Sequence, residues 1–167
     1  PVLFIQATLN WGEGIRVTPT ECRGIDVVEV SGNMDDREAH ALKDLLRARG
    51  LKRPLLWVYN SQKYGRFMEL LPDAFRVYHA TEDYFTPSEC WGQGIKSTIG
   101  EIRASLRKLL PMIHLLVAVS PSVADAYRGF GGYGGRIIVA QNGCDAAFFS
   151  RFADAAKTKR APGFRHA

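Results

Sequence analysis

No run of apolar residues in this chain approaches the roughly 18 needed to cross a bilayer. No charged-then-apolar leader of the secretory type opens it either. Cysteine is scarce: Cys22, Cys90 and Cys144 are odd in number, far apart and never in a Cys-x-x-Cys pair. That pattern excludes a disulfide framework and suits a reducing compartment. Long blocks of one charge are missing, apart from Lys157, Lys159, Arg160 and Arg165 near the C-terminal end. No aromatic residues alternate with that cluster, so it reads as a solvated tail and not as a nucleic-acid arm. Internal repeats of useful length are also lacking.

What is present is the composition of an ordinary globular domain. The chain has 167 residues, of which 46% are hydrophobic and 23% charged, enough for one domain with a sizeable core. A net charge of +5 leaves room for anionic small molecules as ligands.

The most informative stretch runs from Leu115 to Phe149. Leu115–Val119 is a continuous apolar run of strand length, as expected where both faces are covered. Ser120 stands where an N-cap would, and Pro121 takes the first helical position, where its missing N–H costs nothing. A short helix over Ser122–Tyr127, a glycine-rich turn and a strand over Ile137–Ala140 follow. This is a right-handed crossover between parallel strands. The rest of the chain alternates in the same way. Strands are expected at Val2–Ala7, Ile15–Thr18, Ile25–Val30, Pro54–Tyr59 and Phe75–Tyr78. Helices are expected from Asp35 to Arg49, stopped by Gly50, then over Gln62–Leu71, Ile99–Leu110 and Asp145–Ala156, with an irregular segment at Thr81–Thr98. The pattern predicts an α/β fold, a Rossmann-like three-layer sandwich with a mostly parallel sheet, over residues 1–156. Residues 157–167 read as a linker or frayed tail.

Two glycine patterns are read as connecting turns. Gly92-Gln93-Gly94-Ile95-Lys96-Ser97-Thr98 lacks the Gly directly before Lys and the preceding buried strand of a phosphate loop. Gly129–Gly135 leaves a helix and enters a strand, the reverse of the order that sets a pyrophosphate on a helix N-terminus. The informative pattern is positional. Ligands of open parallel sheets bind outside the carboxyl ends of the strands. There the sequence places Tyr59-Asn60, His79, Ser120 and Gln141-Asn142-Gly143 in turn. Asn60 and Ser120 also suit caps, and Asn142-Gly143 suits a turn. His79 carries the most chemistry: with Glu82 and Asp83 close behind it, an imidazole could orient a hydroxyl or move a proton. Glu82 and Asp83 could equally bind sugar hydroxyls or open a turn. No metal is expected, because His40, His114 and His166 do not stand at ligand spacing with His79.

Arg53-Pro54-Leu55-Leu56-Trp57-Val58-Tyr59-Asn60, Val77-Tyr78-His79-Ala80-Thr81-Glu82-Asp83-Tyr84, Leu116-Val117-Ala118-Val119-Ser120-Pro121 and Ile138-Val139-Ala140-Gln141-Asn142-Gly143-Cys144-Asp145 resemble, in that order, bacterial glycosyltransferases of the GT-B fold (glycosyl transferase group 1, family 4-like). The last element departs from the family's Pro-Asn-Gly-Val-Asp, with Gln141 and Cys144 replacing its proline and valine. The match spans Arg53 to Phe149, more than half of the chain. The resemblance implies the N-terminal, acceptor-side half of such an enzyme, with the first strand-loop-helix unit and the C-terminal donor-binding domain not included. It implies transfer of a sugar from a nucleotide-sugar donor to a sugar or lipid-linked acceptor in carbohydrate biosynthesis, without a metal or other cofactor. His79 would bond a hydroxyl of the transferred sugar, and Asn60, Glu82, Asp83, Ser120, Asn142 and Gly143 would contact substrate. A cytoplasmic location follows, with peripheral association at the inner face of the membrane as a variant. No nucleic-acid partner is implied. The isolated half is expected to be inactive. The alternative is a non-catalytic Rossmann-like module that binds a sugar or nucleotide.

Overall fold

A computed structural model describes residues 2–8, 14–31, 34–59, 61, 63–87, 93–141 and 143. Two sheets make up its strand content. In the first, β1 (Val2–Thr8) lies parallel to β3 (Ile25–Ser31), and the short β2 (Arg16–Pro19) pairs antiparallel with the far side of β3. In the second, β4 (Leu55–Tyr59), β5 (Phe75–Ala80), β6 (Leu115–Ala118) and β7 (Arg136–Val139) lie side by side in sequence order, all parallel. Helices flank this sheet, which makes the domain a Rossmann-like α/β sandwich. The expected fold class is thus observed.

Helix α1 (Asp36–Ala48) links the two sheets, and its ends show why it forms where it does. Asp35 accepts a hydrogen bond from the Glu38 backbone N–H at 2.8 Å, and the Glu38 carboxylate accepts from the Asp35 N–H at 3.2 Å. This reciprocal box satisfies two of the first-turn donors. Glu38 is 2% exposed and also accepts from the Ser31 N–H at 2.6 Å and from the Ser31 hydroxyl, so it ties the end of β3 to the start of the helix. At the other end Gly50 takes a φ of +72°. Its N–H donates to the Arg47 carbonyl and the Leu51 N–H to the Leu46 carbonyl, the pairing that closes a helix on a left-handed glycine.

Ala39, Leu42 and Leu46 of α1 join one continuous apolar cluster. Val28 and Val30 of β3 belong to it, as do Leu56 and Val58 of β4, Tyr78 and Ala80 of β5, and Leu116 and Ala118 of β6. Helices α2 (Gly65–Glu69), α3 (Gln93–Leu109) and α4 (Pro121–Gly129) close over the same side with Phe67, Met68, Leu106, Leu109, Val123, Ala124 and Tyr127. Burying so many large side chains, at about 1.5–3 kcal/mol each, makes this cluster the main stabilising feature. Arg76 is 9% exposed and uses its guanidinium to bind the carbonyls of Met68 (3.1 Å), Leu71 (2.7 Å) and Met112 (3.4 Å), pinning α2 to β5.

Several boundaries differ from expectation. Helix α3 starts at Gln93, so Gln93–Thr98 is not a connecting turn. Gly94 costs about 1 kcal/mol in a helix, which a 17-residue helix with an apolar stripe absorbs. Helix α2 is five residues rather than ten, and it begins without a side-chain cap at Tyr64. His79 lies inside β5, not after it. The expected helix at Asp145–Ala156 and the tail after it lie outside the described residues. The turn at 130–135 is a turn, as expected. A Cβ on Gly131 would stand 2.5 Å from the Tyr127 carbonyl oxygen, so only glycine fits there.

Candidate functional site at the carboxyl ends of the strands

The register of the second sheet brings the predicted residues to one edge. Tyr59 stands opposite His79, Ala80 opposite Ala118, and Ala118 opposite Val139, so β4 to β7 all end together. The segments leaving those ends are the loop after β5, Ser120 at the head of α4, and Ala140-Gln141. Asn60 and Asn142 lie outside the described residues. Gly143 and Gln141 are exposed at the same end.

The loop after β5 is built rather than slack. The Asp83 carboxylate accepts the backbone N–H groups of Phe85 and Thr86, both at 2.9 Å, an Asx-type turn. From α3 the Arg103 guanidinium donates to the Tyr84 carbonyl, and to the Thr86 carbonyl at 3.1 Å. Phe85, 2% exposed, anchors the loop edge-on against Tyr127 at a centroid distance of 4.9 Å. Asp83 therefore commits its Oδ1 to the loop itself. Glu82 beside it is exposed. Ser120 caps α4 as anticipated, its hydroxyl accepting from the Val123 N–H at 3.2 Å with the Ser122 hydroxyl 2.9 Å away. The positive end of the α4 dipole thus faces this edge.

His79 has a different environment from the one its sequence neighbours suggested. Its ring sits edge-on to Tyr59 at 5.1 Å and to Trp57 at 5.7 Å, each at an interplanar angle of 89°. Its Nε2 is buried without a hydrogen-bond partner among the described residues. The aromatic pair was not anticipated. The signal lay in the alternation of Leu55-Leu56-Trp57-Val58-Tyr59, which puts Trp57 and Tyr59 on one side of the strand and, in parallel register, beside His79. Glu38 was also missed, although Asp35-x-x-Glu38 is the pattern of a capping box.

Two further polar groups are buried in the core. Tyr78 and Tyr127 lie with ring centroids 6.0 Å apart, and neither hydroxyl has a hydrogen-bond partner among the described residues. Burial pushes both phenols above their ordinary ionisation range, and for Tyr127 the neighbouring Tyr78 adds to the effect. Two open grooves, of about 300 and 370 Å³, lie at the amino ends of the strands, lined in part by Pro54 and Ala74 and by Ile113 and Gly135. Neither contains a predicted site residue. Among the described residues no three His, Cys, Asp or Glu side chains converge, and no helix is long and apolar enough to cross a membrane.

Comparison with known proteins gives no match to a protein-family model, to a curated protein or to a solved structure.

Proposed function

We propose that this chain is the acceptor-side half of a glycosyltransferase that moves a sugar from a nucleotide-sugar donor to a sugar or lipid-linked acceptor. The observation that carries the reading is the shared edge. Four parallel strands end together, with His79, a pinned loop bearing Glu82, and the capped N-terminus of α4 along one line. Open parallel sheets bind ligands in that position. In this reading the imidazole of His79 holds a hydroxyl of the sugar being transferred and Glu82 accepts from another. In the same reading Asn60, Asn142 and Gly143 also contact substrate. The groups that stabilise the departing diphosphate come from a second domain across the cleft. The chemistry needs no metal. The protein works in the cytoplasm, at the inner membrane face when its acceptor is a lipid.

A second reading, a sugar- or nucleotide-binding module without catalysis, draws support from Asp83 and Ser120. Both are committed to backbone amides, which leaves fewer free groups for a reaction.

Release of nucleoside diphosphate from UDP- and GDP-sugars, measured with the polypeptide that carries both domains, separates the two. The transferase reading expects release that depends on acceptor. In that polypeptide His79→Ala is expected to lower kcat by about 100-fold, in line with the loss of a positioned acid–base or binding group. The urea midpoint should stay nearly constant. Binding of donor without turnover would favour the module, and an unchanged kcat in the variant would remove His79 from the mechanism.

A further inference from the structure

Exposure on the second face of the four-strand sheet dips in the middle. Register sets Trp57 and Tyr59 of β4, Val77 of β5, Val117 of β6 and Ile138 of β7 on that face. On the outer strands Trp57 is 54%, Tyr59 63% and Ile138 39% exposed. On the inner strands Val77 is 1% and Val117 2% exposed. Neither valine belongs to the cluster that α1 to α4 close, because each alternates along its strand with residues that do. A valine on a bare sheet face keeps its methyl groups in water. Something therefore lies over β5 and β6 and leaves the outer strands open.

The width of the dip identifies the kind of cover. Two strands at about 4.8 Å spacing make a strip about 10 Å wide, and one helix with its side chains is about 10–12 Å across. A second copy or a further sheet laid flat would shield Trp57 and Tyr59 as well. Phe75, at the start of β5, is 48% exposed, so the strip fades toward the amino end. The cover enters from the carboxyl ends.

The connecting stretches outside the described residues are at most five residues long. Of these, residues 88–92 follow the loop that Phe85 holds against Tyr127, on the clustered side. The chain after β7 is different in kind. The Ala140 N–H still donates to the Ala118 carbonyl at 2.9 Å, so the chain leaves the sheet beside β6, at its carboxyl end. Asp145–Ala156 is rich in alanine, the strongest helix former. Phe148, Phe149, Phe152 and Ala156 share one side at helical spacing, with Ser150, Arg151 and Asp154 opposite. As a helix this segment is about 18 Å long, ample for the roughly 10 Å from Ala80 back to Val77 along β5.

We infer that Asp145–Ala156 folds back as an amphipathic helix over β5 and β6, with Phe148, Phe149 and Phe152 packed on Val77 and Val117. The large rings fill the strip above the small valines, and the charged side faces water. The Asn142-Gly143 dipeptide then serves as the reversal between β7 and the last helix of the domain. Strand β4 keeps its open face. The inference rests on the burial pattern and stands whether or not the transferase reading does.

Thiol accessibility tests it on the 167-residue chain with Cys22, Cys90 and Cys144 replaced by serine. Single variants Trp57→Cys, Leu116→Cys and Val117→Cys set one thiol on the open strand, on the clustered face and beneath the inferred helix. N-ethylmaleimide should label W57C at least tenfold faster than either L116C or V117C. Adding Phe152→Asp should speed V117C at least tenfold and leave L116C unchanged. Where L116C speeds as well, the whole fold has loosened and cross-linking decides instead. A short bismaleimide should then join V117C to F148C, F149C or F152C in otherwise unaltered chains, and L116C to none of them. Four results overturn the inference. They are labelling of V117C as fast as W57C, protection of V117C indifferent to Phe152→Asp, no cross-link to any of the three positions, and protection that rises with protein concentration. The last would make a second copy the cover.

Discussion

The two faces of the four-strand sheet are made by the same strands and are covered unequally, most of all along β4. On one face Leu56, Val58, Tyr78, Ala80, Leu116 and Ala118 are at most 8% exposed beneath α2, α3 and α4. On the other, Leu55, Trp57, Tyr59 and Phe75 stand about half in solvent, whereas Val77 and Val117, toward the middle of the sheet, are buried. Alternation sends neighbouring side chains to opposite sides, so composition along the strand is no guide to burial. What differs is the cover. One face has three helices over it, and the β4 side of the other has none among the described residues.

This contrast sets the ranking of mutational effects. Leu116→Ala on the covered face is expected to cost about 2–5 kcal/mol in urea unfolding, whereas Trp57→Ala on the open face should stay within about 1 kcal/mol. Equal losses at the two sites would show that the open face is covered in solution. Next comes Glu38→Ala, which strips a buried carboxylate from the Ser31 and Asp35 amides and should cost about 2–3 kcal/mol. A loss under about 0.5 kcal/mol would mean that water replaces the box.

Alkali offers a further probe of the covered face. Tyr78 and Tyr127 are held protonated by burial, so their pKa is raised in the folded state relative to the unfolded one. A raised pKa favours the fold below the unfolded value of about 10 and loses that favour as pH climbs beyond it. Stability measured by urea should therefore fall as pH passes about 10. In the native protein, at least two of the six tyrosines should fail to give the tyrosinate absorbance until unfolding sets in. A complete titration with the fold intact would contradict the burial of this pair. The smallest global effect is expected for Asp83→Ala, at about 1 kcal/mol or less. Its readout is local, with exchange of the Phe85 and Thr86 amides rising about tenfold while β6 amides do not change.

Local signals in the chain were legible where one short-range rule governs them. Ser120-Pro121 specifies a capped helix start, and Gly50 a left-handed stop. Both are observed because cap and turn energetics depend on residues within a few positions. The parallel order of β4 to β7 was legible from strands alternating with helices. Asp83 illustrates the limit. Its position after β5 suggested a ligand group, but which acceptor a carboxylate finds depends on how the loop folds back, and here the loop's own amides take it. His79 was expected at the end of a strand among carboxylates and stands within β5 beside two aromatic rings of β4. Strand register, which no single segment encodes, decided that.

Periodicity, caps and turn residues were thus enough to specify the elements, their order and the α/β class, because those depend on the intrinsic preferences of short segments. The partition into two sheets, the separate environments of Leu56 and Trp57 one residue apart, and the company His79 keeps were settled only in three dimensions. They depend on which surfaces distant elements bring together, and burial is a property of that assembly, not of the segment.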